Sequence, residues 1–203
     1  MMVSSGRSSH SPHRQDTGIS CGGQSIFEAS RMVVPVYPIV RKPRVLVPGA
    51  RYHVTARTNH QEMLFRPAAT KQLFLSVVRR AKTKFAFRLE NFCIMENHVH
   101  IIIQPLNGHS LSRILQWILG VFASAWNRSH QLTGHFWGAR FFSKVIQNLS
   151  EYLQTFQYID ANPVTAGLAH RPVDWPFGAS SYRNRMDSAW LDDPPDELVG
   201  LVR

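Results

Sequence analysis

Two histidines one residue apart open an unbroken apolar run, His98-Val99-His100-Ile101-Ile102-Ile103, and this stretch constrains the fold more than any other. A β-branched series of this kind favours a strand, and the period of 2 along a strand sends both imidazoles to one side of a sheet. Two neutral imidazoles held in that way are half of a metal site, or else a pair of structural histidines. Phe85 to Phe92 and Cys93 to Gln104 also read as β material, interrupted near Glu96-Asn97, so a hairpin is expected there.

The surrounding pattern alternates. Tyr52 to Ala56 reads as a strand, and Pro67 to about Lys84 as a helix that begins with proline and carries Arg79, Arg80, Lys82 and Lys84 near its C-terminal end, where positive charge is favoured. Ser110 is placed to cap a long helix in which Leu111, Ile114, Leu115, Ile118, Leu119, Phe122 and Trp126 recur at helical spacing, as core residues do. The expected order is strand, helix, strand, strand, helix, strand, helix.

The last of these helices holds the second informative feature. Asn148 and Glu151 have capping-box spacing and Pro163 is expected to end the helix. Leu149, Tyr152, Leu153, Phe156 and Ile159 form one apolar stripe, whereas at about 100° per residue Tyr158 and Asn162 fall roughly 120–160° from its centre. A phenol and a carboxamide one turn apart on the polar face could offer a nucleophile and an oxygen ligand to one metal; a solvated helix face is the alternative.

Charge narrows the partners. The net charge of +10 and pI near 10.3 favour a polyanion, nucleic acid first. Residues 45–182 alone hold 14 of the 23 Lys and Arg against 6 of the 13 Asp and Glu, so the expected folded part is itself basic. Residues 1–44 read as a flexible basic N-terminal extension, rich near its start in Ser, Gly and His and without the plan of a secretion signal; residues 183–203 read as an acidic tail. Met32 is an expected alternative translation start. Cys21 and Cys93 give no disulfide framework, which suits free thiols in a reducing cytoplasm. No apolar run is long enough to span a bilayer, and no glycine-rich phosphate loop points to ATP-driven chemistry.

Taken together, His98-Val99-His100, Tyr158 some sixty residues on and Asn162 after it resemble the HUH endonuclease superfamily, specifically its single-tyrosine members and, within these, the REP-associated tyrosine transposases. Further blocks carry the resemblance in order: residues 48–59 around Tyr52-His53-Val54-Thr55, residues 92–103, Phe136-Trp137 through Arg140-Phe141-Phe142, residues 158–164, and residues 173–182 around Trp175-Pro176-Phe177. The chain departs at Thr58, where many relatives have glycine.

The resemblance implies an α+β fold, a central mainly antiparallel sheet flanked by helices (the HUH, ferredoxin-like transposase fold). It implies a divalent metal, Mg²⁺ or Mn²⁺, held by His98, His100 and Asn162, and Tyr158 as a nucleophile that forms a 5′-phosphotyrosine. The implied substrate is single-stranded DNA beside a hairpin, in DNA transposition. Arg51, Arg57, Lys71, Arg79, Arg80, Lys82, Arg140 and Lys144 are candidate phosphate contacts, with solvated charge as the competing reading, and Trp137 a candidate base stacker that could equally be core. His53 and His60 have no motif support as ligands. A monomer or homodimer is expected, with no membrane partner. The alternatives are a non-catalytic hairpin-binding protein, or a replication or conjugation nickase of the same superfamily.

Overall fold

The computed structural model describes residues 46–187 and 189–200; the expected N-terminal extension, Met32 and Cys21 lie outside these residues. Alternation builds the first strand. In β1 (Arg51–Arg57), Tyr52, Val54 and Ala56 are buried on one face, while Arg51, His53, Thr55 and Arg57 take the other. Helix α1 (Ala68–Lys84) starts directly after Pro67, whose fixed φ suits a helix start. β2 (Phe87–Ile94) and β3 (His98–Pro105) form the expected hairpin, and the turn at 95–97 is closed by the Met95 N–H donating to the His98 carbonyl at 2.8 Å. Helix α2 (Leu111–His130), strand β4 (Phe142–Ile146) and helix α3 (Leu149–Thr165) follow, then the short α4 (Ala179–Asn184).

The four strands lie in the order β2-β3-β1-β4, and every neighbouring pair is antiparallel. With the chain order β1-α1-β2-β3-α2-β4 this is the ferredoxin-like α+β arrangement expected from the sequence. One face is closed by α1 and α2. The stripe Leu111, Ile114, Leu115, Ile118, Leu119 and Phe122 is buried against Val54, Val99, Ile101 and Ile103 of the sheet and Phe74, Leu75 and Val78 of α1. Phe65 meets Phe74, Phe122 and Phe136 with ring centroids 5.7, 5.4 and 5.3 Å apart. Each such phenyl contributes about 1.5–3 kcal/mol by leaving water.

The other face is covered over only part of its width. Tyr152, Phe156 and Ile159 of α3 pack on Cys93, Met95 and Ile102, over β2 and β3. The β1 and β4 part of that face carries His53, Thr55, Arg57, Phe142 and Lys144, none of them buried.

The bulge in β2 holds a buried acid. Register slips between Leu89 and Asn91, so Glu90 is the extra residue, and its fully buried carboxylate accepts from Arg51 Nε at 2.9 Å and Arg88 Nε at 3.1 Å. Asn91 then faces α3: its Nδ2 donates to the Phe156 carbonyl at 3.2 Å and to Asp160 Oδ1 at 3.1 Å. Burial is the first cause acting on the Asp160 carboxyl and raises its pKa, against hydrogen bonds from Asn91 and Ser180.

The segment read as an acidic tail packs on the fold. Leu89 donates its N–H to Asp192 Oδ2 at 2.7 Å and accepts from the Asp192 N–H at 2.9 Å, while Ile94 donates to the Phe177 carbonyl at 3.0 Å. These contacts cover the outer edge of β2, which would otherwise present open backbone groups. Leu198 is buried beside Tyr152 and Phe156.

One element boundary differs from expectation. Pro163 does not end α3; the helix runs on to Thr165 with the proline ring buried. Losing one N–H is offset by packing that ring, and Asn162 Nδ2 donates to the Tyr158 carbonyl at 2.6 Å one turn back. At the start, the capping box forms in a variant: Asn148 Oδ1 accepts from the Glu151 N–H at 2.9 Å, and Glu151 reaches the Gln147 N–H at 2.8 Å.

Candidate active site

Strand register assembles the site. Thr55 lies opposite both His100 of β3 and Phe142 of β4, and His53 opposite Lys144, so these side chains share the half-open face. His98 and His100 are two residues apart on β3, with ring centroids 4.8 Å apart in an edge-to-face arrangement. Above them stands Tyr158 of α3. With Tyr152, Phe156, Ile159 and Pro163 buried, its ring is turned off the packed side, remains 54% exposed, and lies 5.4 Å from His100 and 6.1 Å from His53.

Hydrogen bonding fixes the imidazoles. Asn97 Oδ1 lies 2.7 Å from His98 Nδ1, and an amide oxygen can only accept, so Nδ1 carries the proton and Nε2 keeps its lone pair. His100 Nδ1 lies 3.0 Å from His53 Nε2 and 3.1 Å from Thr55 Oγ1, while His100 Nε2 is buried with no hydrogen-bond partner among the described residues. Burial, then the neighbouring Arg57, holds His98 down at about 4; burial, then His98, His53 and Arg57, pushes His100 to about 3. Burial and Lys144 lower His53 as well. All three rings are therefore neutral near pH 7, the form in which an imidazole ligates a metal.

A divalent cation fits this donor set in one specific respect: Nε2 of His100 is a buried ring nitrogen with no partner among the described residues, and it offers a lone pair to a cation when Nδ1 carries the proton. Among the described residues no group of three or more His, Cys, Asp or Glu side chains is placed so that it could itself hold a metal ion. Asn162 stands one turn beyond Tyr158, its amide nitrogen engaged by the Tyr158 carbonyl.

The walls of the cleft are loops. A space of about 710 Å³ is lined by His53, Thr55, Arg57, His100, Arg140, Phe142 and Tyr158, together with residues 58–61 and 138–139, and no carboxylate is among them. Trp137 pairs with Thr58, Asn59 donates to the Phe136 carbonyl at 2.8 Å, and Gly138 donates to the Arg57 carbonyl at 3.1 Å. A Cβ on Gly138 would sit 2.9 Å from the Thr58 oxygen, so this approach requires glycine. Thr58, the departure from the family pattern, is buried, with its hydroxyl 2.7 Å from the Glu62 carbonyl and 3.0 Å from that of Asn97. It ties the cleft loop to the residue that orients His98. His60 and Gln61, on the rim, both adopt the left-handed conformation.

Of the basic residues singled out from sequence, Arg57 and Arg140 line this cleft, and Lys144 lines the adjoining groove beside His53 and Tyr158, paired with Glu151 at 2.5 Å. The rest are not brought to it. Arg51 is taken by Glu90. Lys71 is 2% exposed, donates to the Arg66 carbonyl at 3.0 Å and lies over the rings of Trp175 and Phe177, so it is a packing lysine and not a phosphate contact. Arg79 stacks on Trp190, Arg80 on Trp117, and Lys82 binds Asp192, all on α1 and thus on the closed side of the sheet. Trp137 proves to be core: its Nε1 donates to the Leu119 carbonyl at 2.9 Å and its ring packs on Phe65, Phe122 and Phe136.

Sequence reasoning set His53 aside as a ligand and gave no role to Thr55 or Phe142, which the register brings to the same face. The signal was the alternate positions of β1 and β4, which become informative only when the register with β3 is known.

The sequence profile of the family described as Transposase IS200 like matches residues 46–162, from the approach to β1 through Asn162. The chain belongs to the IS200-like transposases. Among solved structures, this transposase is similar to one described as a REP-associated tyrosine transposase bound to a REP hairpin, at 21% identity, over 75% of this chain and 88% of that one, with a TM-score of 0.62. The fold is therefore that of a REP-associated tyrosine transposase. A putative transposase from Deinococcus radiodurans R1 is also similar, at 17% identity over 59% of this chain and 95% of that one, with a TM-score of 0.43. No curated protein matches the sequence. No helix among the described residues is long and apolar enough to cross a membrane.

Proposed function

We propose that this transposase cuts and rejoins single-stranded DNA beside hairpins through a covalent tyrosine intermediate, in the cytoplasm and without a membrane partner. The observation that carries the reading is the exposed phenol of Tyr158, poised 5.4 Å by ring centroid from His100 in a cleft lined by two arginines and no carboxylate. The Tyr158 oxygen attacks the phosphorus of a DNA phosphodiester and gives up its proton to solvent. The bond to the 3′-oxygen breaks, that oxygen takes up a proton, and a 5′-phosphotyrosine remains. A second 3′-OH can then attack the phosphotyrosine, giving up its proton; the bond from phosphorus to the Tyr158 oxygen breaks, the phenol takes a proton back and a phosphodiester is restored, so joining needs no ATP. A divalent cation, Mg²⁺ or Mn²⁺, bound through Nε2 of His98 and His100 with an oxygen from Asn162, would supply Lewis-acid charge to the phosphoryl oxygens.

The protein's own groups do the rest. Asn97 holds His98 in the tautomer that leaves Nε2 free, and His53 and Thr55 engage Nδ1 of His100. Arg57 and Arg140 draw the DNA backbone into the cleft. The protein acts as a monomer or homodimer. A hairpin substrate is supported by the similar structure, which is described as bound to a REP hairpin.

The test is incubation of wild type and Tyr158→Phe with Mn²⁺ and labelled single-stranded hairpins from the flanks of its own gene. The reading requires label that stays on the wild-type protein through a denaturing gel and is absent from the variant. Cleavage without an adduct would make the protein a hydrolase; tight binding with neither would make it a hairpin-binding protein.

A further inference from the structure

Phe142 is out of character with the phenylalanines of the closed core. Phe65, Phe74, Phe122 and Phe136 are buried ring against ring, whereas Phe142 is 62% exposed and meets no aromatic partner among the described residues. It begins β4, the outer strand of the sheet, opposite Thr55 and on the face that carries His53, His100 and Lys144. It lines the same cleft as Tyr158, Arg57 and Arg140.

We propose that Phe142 is a stacking platform for one unpaired DNA base next to the phosphate that Tyr158 attacks, an inference that rests on the cutting and rejoining reading above. The exposed ring shares its cleft with two guanidiniums and no carboxylate, so a ligand that fills the cleft over Phe142 must suit an apolar face and positive charge together. A single-stranded nucleotide meets both demands: an anionic phosphate for Arg57 and Arg140 and a flat apolar face for the ring. Every base has such a face, so the platform tolerates sequence, while the phosphate carried by the same nucleotide's sugar is brought to the nucleophile. An apolar protein partner meets the ring but leaves the two guanidiniums without counter-charge.

The platform is tested with the full-length protein carrying Tyr158→Phe, so that binding is read without turnover, and with the hairpins that give an adduct on the wild type. 5-Iodouracil placed one position at a time along the single-stranded flank should give a photocrosslink to Phe142 at a single position beside the cut. Phe142→Ala should weaken binding of that hairpin about tenfold, Phe142→Trp should restore it, and a hairpin made abasic at the crosslinking position should bind both proteins equally. Thermal unfolding of Phe142→Ala unchanged from the parent shows that the loss is not one of folding.

Three results would overturn the platform: crosslinks to other residues only, the same loss with intact and abasic hairpins, or a Phe142→Ala protein that binds the hairpin as tightly as its parent. If these occur while the wild type still forms the tyrosine adduct, the platform falls and the cutting and rejoining reading stands. If no hairpin gives an adduct on the wild type, both fall.

Discussion

The two faces of one sheet are built on opposite terms. The face under α1 and α2 is closed and apolar, with Phe65, Phe122, Ile114 and Ile103 all fully buried. The opposite face is covered by α3 over β2 and part of β3, and the strip left open carries His53, Thr55, Arg57, Phe142 and Lys144, with His98 and His100 beside it on β3. The same strands serve both, because alternate residues of β1 and β3 face opposite ways. Rigidity comes from the closed side, and the open side can hold exposed and poorly packed groups because its neighbour does not need them for stability.

Substitutions should separate the two faces. The largest effect on folding is expected from Phe122→Ala on the closed face, about 3–5 kcal/mol in urea unfolding, since it removes a fully buried ring from an aromatic cluster. A loss below 1 kcal/mol would show that this face is not the main source of stability. Between the faces stands Asn91, which ties the β2 bulge to the backbone of α3 and to Asp160. Asn91→Ala should cost about 1–3 kcal/mol by leaving buried groups unpaired, and should slow adduct formation through displacement of Tyr158. Unfolding and adduct rate measured on the same preparation check both parts.

The open face should show itself in pH dependence. His98 and His100 titrate at about 4 and about 3 when folded, below the 6.5 of the free side chain, so between these limits the unfolded chain binds protons that the folded chain refuses. Their contribution is therefore a loss of stability as pH falls below 6.5, with none above it. Between pH 6.5 and 5 most carboxylates remain ionised, and His100→Gln should flatten the slope of stability against pH there. An unchanged slope would mean that His100 is protonated when folded. Smallest in stability are Arg57→Ala and Arg140→Ala, within about 0.5 kcal/mol on unfolding. Each should nevertheless reduce the salt dependence of hairpin binding by about 0.7 in the slope of log K against log salt, whereas Arg80→Ala, on the closed side, should leave it unchanged.

Legibility in the sequence followed the same division. The closed face was plain, because α2 repeats its apolar residues at helical spacing and β1 alternates. The catalytic candidates were legible as exceptions to those patterns: two histidines in an apolar strand and a tyrosine off a helical stripe. What sequence could not give were contacts set by register or by distant packing. His53 and Phe142 matter through the residues opposite them on β3 and β1, and nothing local marks either. Lys71 reads as a solvated charge until Trp175 and Phe177, about a hundred residues away, are seen to enclose it. Arg51 finds its partner only because a bulge turns Glu90 inward. Pro163 misled in the other direction, since a proline ring can be kept in the last turn of a helix when it is buried.

The central claim is that the exposed phenol above His100 is the nucleophile, and the most direct measurement is mass spectrometry of the protein after reaction with a cleaved hairpin in Mn²⁺. The account predicts a DNA fragment joined through its 5′-phosphate to Tyr158, with none formed by Tyr158→Phe although that variant folds as the wild type does. Efficient cleavage by Tyr158→Phe, or an adduct on any other residue, would contradict it.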